Sequence, residues 1–112
     1  MFRQGDIVLT IFPYTDLSGS KLRPALIISD DAVNISGDFV CLQITSKMFD
    51  DLFFVKIGNR MLEQPLLLDS GIRLQKIFTL NQKLIDRKIS EMKPEAFKTI
   101  LAAFTTKVLS VR

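Results

Sequence analysis

The chain has 112 residues, 47% of them apolar, and a formal net charge of +3 with no histidine and a single cysteine. A chain this short buries one modest core with little margin, so residues 1–112 are expected to form one domain that gains burial by self-association. An imidazole base, a Cys/His metal site and an internal disulfide are excluded, no run reaches the roughly 18 apolar residues of a membrane span, and Arg3 and Asp6 stand where a signal peptide would be apolar, so a cytoplasmic protein is expected.

In chain order, Ile7, Leu9 and Ile11 alternate with Val8, Thr10 and Phe12, which predicts a first strand apolar on both faces and therefore central. Residues 13–22 collect Pro, Asp, Ser and Gly and read as a long loop, after which Pro24 forces Arg23 toward extended backbone. A second buried strand is predicted over 25–29. Turn residues at 30–31 and 34–38 lead to a third strand, where Val40, Leu42 and Ile44 alternate with Phe39, Cys41, Gln43 and Thr45. Cys41 sits inside that apolar run and reads as a small buried hydrophobe. The spacing then predicts a fourth strand over 52–57, a turn at 58–60, and two short strands at 66–68 and 72–77 split by Asp69-Ser70-Gly71. Six short strands at close turn spacing predict a barrel or strongly bent sheet. One turn of helix near 81–84 and a strand over 87–91 follow. Pro94, Glu95 and the stripe Phe97, Ile100, Leu101, Phe104 and Val108 predict a closing helix that packs on the sheet or on a partner.

Charge is unevenly placed: residues 1–56 hold five Lys/Arg against seven Asp/Glu, and residues 57–112 hold ten against five. Arg73, Lys76, Lys83, Arg87 and Lys88 lie close together in sequence, a concentration that attracts a polyanion if it folds onto one face and is plain solvated surface otherwise. Arg23, held extended by Pro24, can fork onto a phosphate or pair with Asp16 or Asp30. Thr45 and Ser46, at a strand end beside Lys47, can donate to phosphate oxygens or cap a turn. Alternation places Arg73 and Gln75 on one strand face and residues 74, 76 and 78 on the other. Among Phe12, Tyr14, Phe49, Phe53, Phe54 and Phe78, any exposed ring could stack a base, with Tyr14 in the loop the first choice.

The first strand, loop and Arg-Pro second strand, with Gly5, Asp6, Gly19, Arg23 and Pro24, resemble the opening of the MazF/PemK family of toxin endoribonucleases. The strand closing on Thr45-Ser46, the block from Arg73 to Asn81 with Lys88-Ile89 beyond it, and the final helix are similar to that family as well. This resemblance implies a mainly β fold with a C-terminal helix, the SH3-like barrel shared with CcdB-type gyrase toxins, assembled as a homodimer. It also implies cleavage of single-stranded RNA by attack of a ribose 2′-hydroxyl on the adjacent phosphate, without metal or other cofactor, and inhibition by a cognate antitoxin. By position, Arg23, Thr45, Ser46 and Arg73 match the catalytic positions, while Tyr14, Ser20, Lys21, Lys47, Gln75 and Lys76 are the RNA contacts expected.

The chain also departs from the pattern. Gln75 stands where many members carry an acid, Phe78 where an arginine is common, and Ser18-Gly19-Ser20-Lys21 where a Glu or His often falls. The base is thereby left unassigned, with Asp16 a candidate. Three readings stay open: a ribonuclease with another base, a relative that binds nucleic acid or antitoxin without cleaving, and a toxin with a protein target such as gyrase.

Overall fold

Apolar alternation becomes a single antiparallel sheet in the computed structural model, which describes residues 1–11 and 21–111. The strands are β1 (Asp6–Ile11), β2 (Leu22–Ile27), β3 (Asp38–Thr45), β4 (Phe54–Ile57), β5 (Ser70–Asn81) and β6 (Ile85–Glu91). A one-turn helix α1 (Asp31–Asn34) joins β2 to β3, and helix α2 (Pro94–Val108) closes the chain. In space the strands run β4-β5-β3-β2-β1-β6. The two edges then approach each other: Leu62, beyond β4, bridges Met92, beyond β6, and Glu63 N donates to Glu91 O while Lys93 N donates to Met61 O, both at 2.8 Å. The bent sheet thus curls into the mainly β barrel with C-terminal helix that the sequence predicts.

Three bulges supply the curvature. β6 carries an extra residue against β1 at two points, and β3 opposite β5 steps from Leu42↔Ile77 to Gln43↔Arg73. Such insertions bend a strand and increase its twist. Gly5, just before β1, has φ +94°, a backbone region costly for any residue with a Cβ, and its N–H and C=O bond Ile27 O and Met92 N.

Each face of the sheet has its own core. On one, Ile7, Leu26, Leu42, Ile44, Ile72 and Leu74 pack with Ile100 and Phe104 of α2. Pro94 occupies the first helical position and Glu95 the first turn, as predicted. On the other face, Val8, Ala25, Ile27, Phe39, Cys41, Phe78 and Leu80 form a smaller cluster. Cys41 is fully buried, and burial pushes its thiol up to about 12.

Several expectations are corrected. Residues 66–68 form no strand: β4 takes its pairing from Ser70 to Arg73, and Leu67 and Leu68 lie exposed with no strand to join. Instead of two short runs, one twelve-residue β5 starts at Ser70, so the expected turn at 69–71 is drawn into the ladder opposite Ile57 and Lys56. Residues 30–34 are more than a turn: Asp30 caps α1 through Oδ1 and Asp31 N, and buried Asn34 donates to Ser29 O. The bulge spanning residues 74–76 also shifts the phase of β5. Leu74 enters the core beneath α2 and Phe78 the core of the opposite face, so 74 and 78 do not share a side.

Candidate active site

The smaller core fills only part of its face. Along β2, alternation carries Ala25 and Ile27 into it and leaves Arg23 on the same side, paired across the ladder with Thr10 of β1. Along β3, Phe39 and Cys41 lie in that core, and Gln43 and Thr45 continue the face beyond it. Ala25 pairs with Gln43, Gln43 with Arg73, and Arg73 with Phe54, so one row crosses four strands. The β2–β3 register, carried two residues further, aims Arg23 at Thr45. Sheet geometry therefore gathers Arg23, Gln43, Thr45 and Arg73, with Gln75 in the adjacent bulge, at one end of one face.

Among the described residues, Arg23 Nε, Arg73 Nε and Gln75 Oε1 are buried and have no hydrogen-bond partner. An orphaned buried polar group costs about 1–3 kcal/mol, so these three weigh against the stability of the fold. Arg73 does have a neighbour: its guanidinium lies 3.8 Å from the centroid of the Phe49 ring, and Lys47 Nζ lies 5.3 Å from the same ring. Phe49 leans on Phe54 with centroids 5.8 Å apart. Phe54 in turn lies over Gly71, where a Cβ would come within 2.1 Å of the ring, so only glycine lets it settle there.

Thr45 fills the turn-capping one of its two predicted roles. Its Oγ1 accepts from Lys47 N at 3.1 Å, capping the turn, and the hydroxyl hydrogen stays available to donate. Ser46 is separated from this group. Adjacent residues at a strand end face opposite ways, and Ser46 lines a groove of about 460 Å³ on the other face with Leu9, Leu22, Pro24 and Leu66. Lys21, Lys47 and Lys76 are exposed. Tyr14, Ser20 and Asp16 lie outside the described residues, as does Phe12.

The basic run from 73 to 88 is not gathered on one face. Arg87 pairs with Asp86 and lines the apolar groove, whereas Lys88 bonds Asp6 at 3.1 Å and Glu91 at 2.7 Å. The hydrogen bond to Glu91, opposed by slight burial and aided by Asp6, raises the Lys88 pKa above its usual value. Of the other aromatics, Phe78 is buried and Phe53 packs against the core under α2, leaving Phe49 and Phe54 at the site. Gln43 escaped the sequence reading, although it is the one polar residue between Phe39 and Ile44. The sequence marks Phe49 only as a possible stacking ring, because nothing local shows that it meets the distant Arg73. Among the described residues, no group of three or more Cys, Asp or Glu side chains could hold a metal. No described helix is long and apolar enough to cross a membrane.

A bent six-stranded sheet closed by a C-terminal helix makes a small barrel, with arginines and amides clustered at one end of one face. The profile of the PemK-like, MazF-like toxins of type II toxin-antitoxin systems matches residues 3–107, and the chain belongs to that family. No curated protein matches it in sequence. Solved structures do match in fold. An endoribonuclease in complex with its cognate antitoxin from a Mycobacterial species superposes with a TM-score of 0.78 at 19% identity, covering 100% of this chain and 99% of that one. A second Mycobacterial endoribonuclease gives 0.71 at 23%, covering 93% and 88%. A MazE-MazF structure from Deinococcus radiodurans gives 0.74 at 17%, covering 97% of each.

Proposed function

We propose that this toxin is a metal-independent endoribonuclease that cuts single-stranded RNA, with Arg23, Thr45 and Arg73 at its centre. The observation that carries the reading is the trio of buried, unpartnered atoms, Arg23 Nε, Arg73 Nε and Gln75 Oε1, beside a threonine with a hydroxyl hydrogen to give. Family membership and endoribonuclease neighbours of the same fold support it. In the reaction, a ribose 2′-oxygen loses its proton and bonds to the adjacent phosphorus. The bond to the 5′-oxygen breaks, that oxygen gains a proton, and a 2′,3′-cyclic phosphate remains.

Negative charge on the phosphoryl oxygens peaks midway through this exchange. Two guanidiniums and a hydroxyl fixed around that point stabilise it more than they stabilise the starting diester. Arginine stays charged and supplies a planar fork, so Arg23 and Arg73 act as electrostatic clamps. Gln43 and Gln75 each carry both a donor and an acceptor suited to a base edge, and Phe54 offers a ring to a base free of pairing. Ser46, on the opposite face, is left with a secondary part at most. Lys47 and Lys76, with Lys21, Tyr14 and Ser20 from the first loop, make the outer contacts with the RNA backbone and bases.

The active form is a cytoplasmic homodimer of single-domain chains, held inactive by a separately encoded antitoxin. Exposed Leu67, Leu68 and Ile77 favour such association. Purified protein free of antitoxin is to be assayed on a long single-stranded RNA with and without EDTA, and the new ends mapped. Cleavage leaving 2′,3′-cyclic phosphate in both conditions is expected. Loss with EDTA overturns the mechanism, and salt-sensitive binding without cleavage in either condition identifies a non-catalytic relative instead.

A further inference from the structure

We infer that Phe49, in the loop between β3 and β4, is a positioning residue for Arg73: its ring holds the guanidinium in place at the end of the sheet face that carries Gln43 and Thr45. This inference rests on the ribonuclease reading for its consequence and on geometry for its substance. Arg73 projects from β5 between Gln43 and Phe54, and its buried Nε has no hydrogen bond to fix the side chain. An arginine without such a bond would lose several freely turning torsions only when substrate arrives, an ordering cost met at the moment of catalysis. The ring 3.8 Å from the guanidinium restricts that freedom in advance, and stacking on a ring uses none of the guanidinium's N–H donors.

The ring is itself supported. Phe49 leans on Phe54, and Phe54 settles over Gly71 in space that any side chain at 71 would fill. The loop is tied down on both sides of Phe49, by Lys47 N to Thr45 Oγ1 at 3.1 Å and by Phe53 N to Asp51 Oδ1 at 2.8 Å. Thr45 thus anchors the loop that positions Arg73, and two residues of the centre share one support. Met48 and Leu52 of the same loop lie exposed, whereas Phe49 is half-buried with its ring against a cation.

The test compares Phe49→Leu, which keeps an apolar side chain without a π face, and Phe49→Tyr, which keeps the face, in wild-type and Arg73→Ala backgrounds. Cation–π contacts span a range corresponding to roughly two- to thirtyfold in rate. Phe49→Leu is expected to lower kcat within that range with KM little changed, Phe49→Tyr to retain most of the turnover, and Phe49→Leu to add nothing once Arg73 is alanine. An equal loss in the Arg73→Ala background would overturn the inference, because the ring would then act on the fold and not on Arg73. A second readout does not need cleavage. The side-chain Nε–H resonance of Arg73 is followed by NMR as an oligonucleotide with a 2′-deoxy cleavage site is added. A shift in wild type and Phe49→Tyr that is lost in Phe49→Leu supports the positioning role even if no RNA is cut, in which case only the ribonuclease reading fails. A shift indifferent to Phe49, or no shift at all, sinks the inference while leaving any observed cleavage intact.

Discussion

Two sets of buried polar groups in this protein are treated in opposite ways. At the end of the barrel where β1 begins and the chain edges meet, every buried polar side chain is matched. Asp6 accepts from Arg3 N and pairs with Lys88, Ser29 and Asn34 bond each other while Val40 N donates to Ser29, and Ser90 both donates to and accepts from the Gln64 backbone. At the other end of one sheet face, Arg23, Arg73 and Gln75 keep buried atoms without partners among the described residues. The first arrangement lowers the energy of the fold. The second raises it, because each group gives up water on burial without gaining a partner among the described residues.

That contrast breaks most clearly at Arg23. Arg23→Ala is expected to cut RNA cleavage by on the order of 10²- to 10³-fold, the loss usual for one preorganised donor. Its melting temperature should hold or rise, because the orphaned donor goes with the side chain; Arg23→Lys should recover little, since an ammonium cannot fork. Single-turnover rates and a thermal scan check both halves. Full activity in the alanine variant would remove Arg23 from the site, and a large drop in melting temperature would place it among the structural groups.

Thr45→Val sharpens the comparison by removing a hydroxyl from the same volume. The expected loss is roughly tenfold or more in kcat, since donation to the reacting phosphate goes together with the anchor on Lys47 N. Wild-type turnover in this variant would confine Thr45 to turn capping.

Asn34→Ala probes the satisfied set. Stability should fall by about 1–3 kcal/mol, because Ser29 is left with a buried hydroxyl facing no acceptor, while cleavage per folded molecule stays unchanged. Urea titration alongside the RNA assay separates the two. A loss of cleavage without a loss of stability would erase the distinction between the ends of the barrel.

The smallest effect is alkaline. The unfolded thiol of Cys41 ionises above its usual 9.0, but the buried one holds its proton to about 12, so its contribution is complete below pH 9 and declines as pH rises between those values. Lys88, also raised, contributes fully below its usual 10.5 and loses that contribution as pH climbs through its folded value. Both slopes point the same way, so the urea midpoint should drop steadily above pH 9 and drop less in Cys41→Ala. A midpoint unchanged from pH 8 to 10.5 would contradict the burial of the thiol.

Local patterning determined much of this protein by itself. Alternating apolar residues placed β1, β2, β3 and the start of β6 within a few positions, and Pro94 with the stripe from Phe97 to Val108 defined α2, because side-chain periodicity and proline geometry act over a single turn or pleat. Arg23, Thr45, Arg73 and Gln75 were singled out by the resemblance of their blocks to the family, and spacing alone did not decide between a site and a solvated or capping role for them. What only the tertiary structure decided depends on pairing between distant strands. Residues 66–68 look like a strand but find no neighbour, and Ser70-Gly71 look like a turn but find β4. The bulge at 74–76 reverses the phase of β5 and sends Leu74 and Phe78 to opposite cores. Thr45 and Ser46, adjacent in sequence, part to opposite faces because a strand alternates, whereas Gln43, Phe49 and Arg73 meet because β3, the following loop and β5 fold together. Periodicity tells each residue which side of its own strand it occupies; only the register between strands tells it what stands opposite.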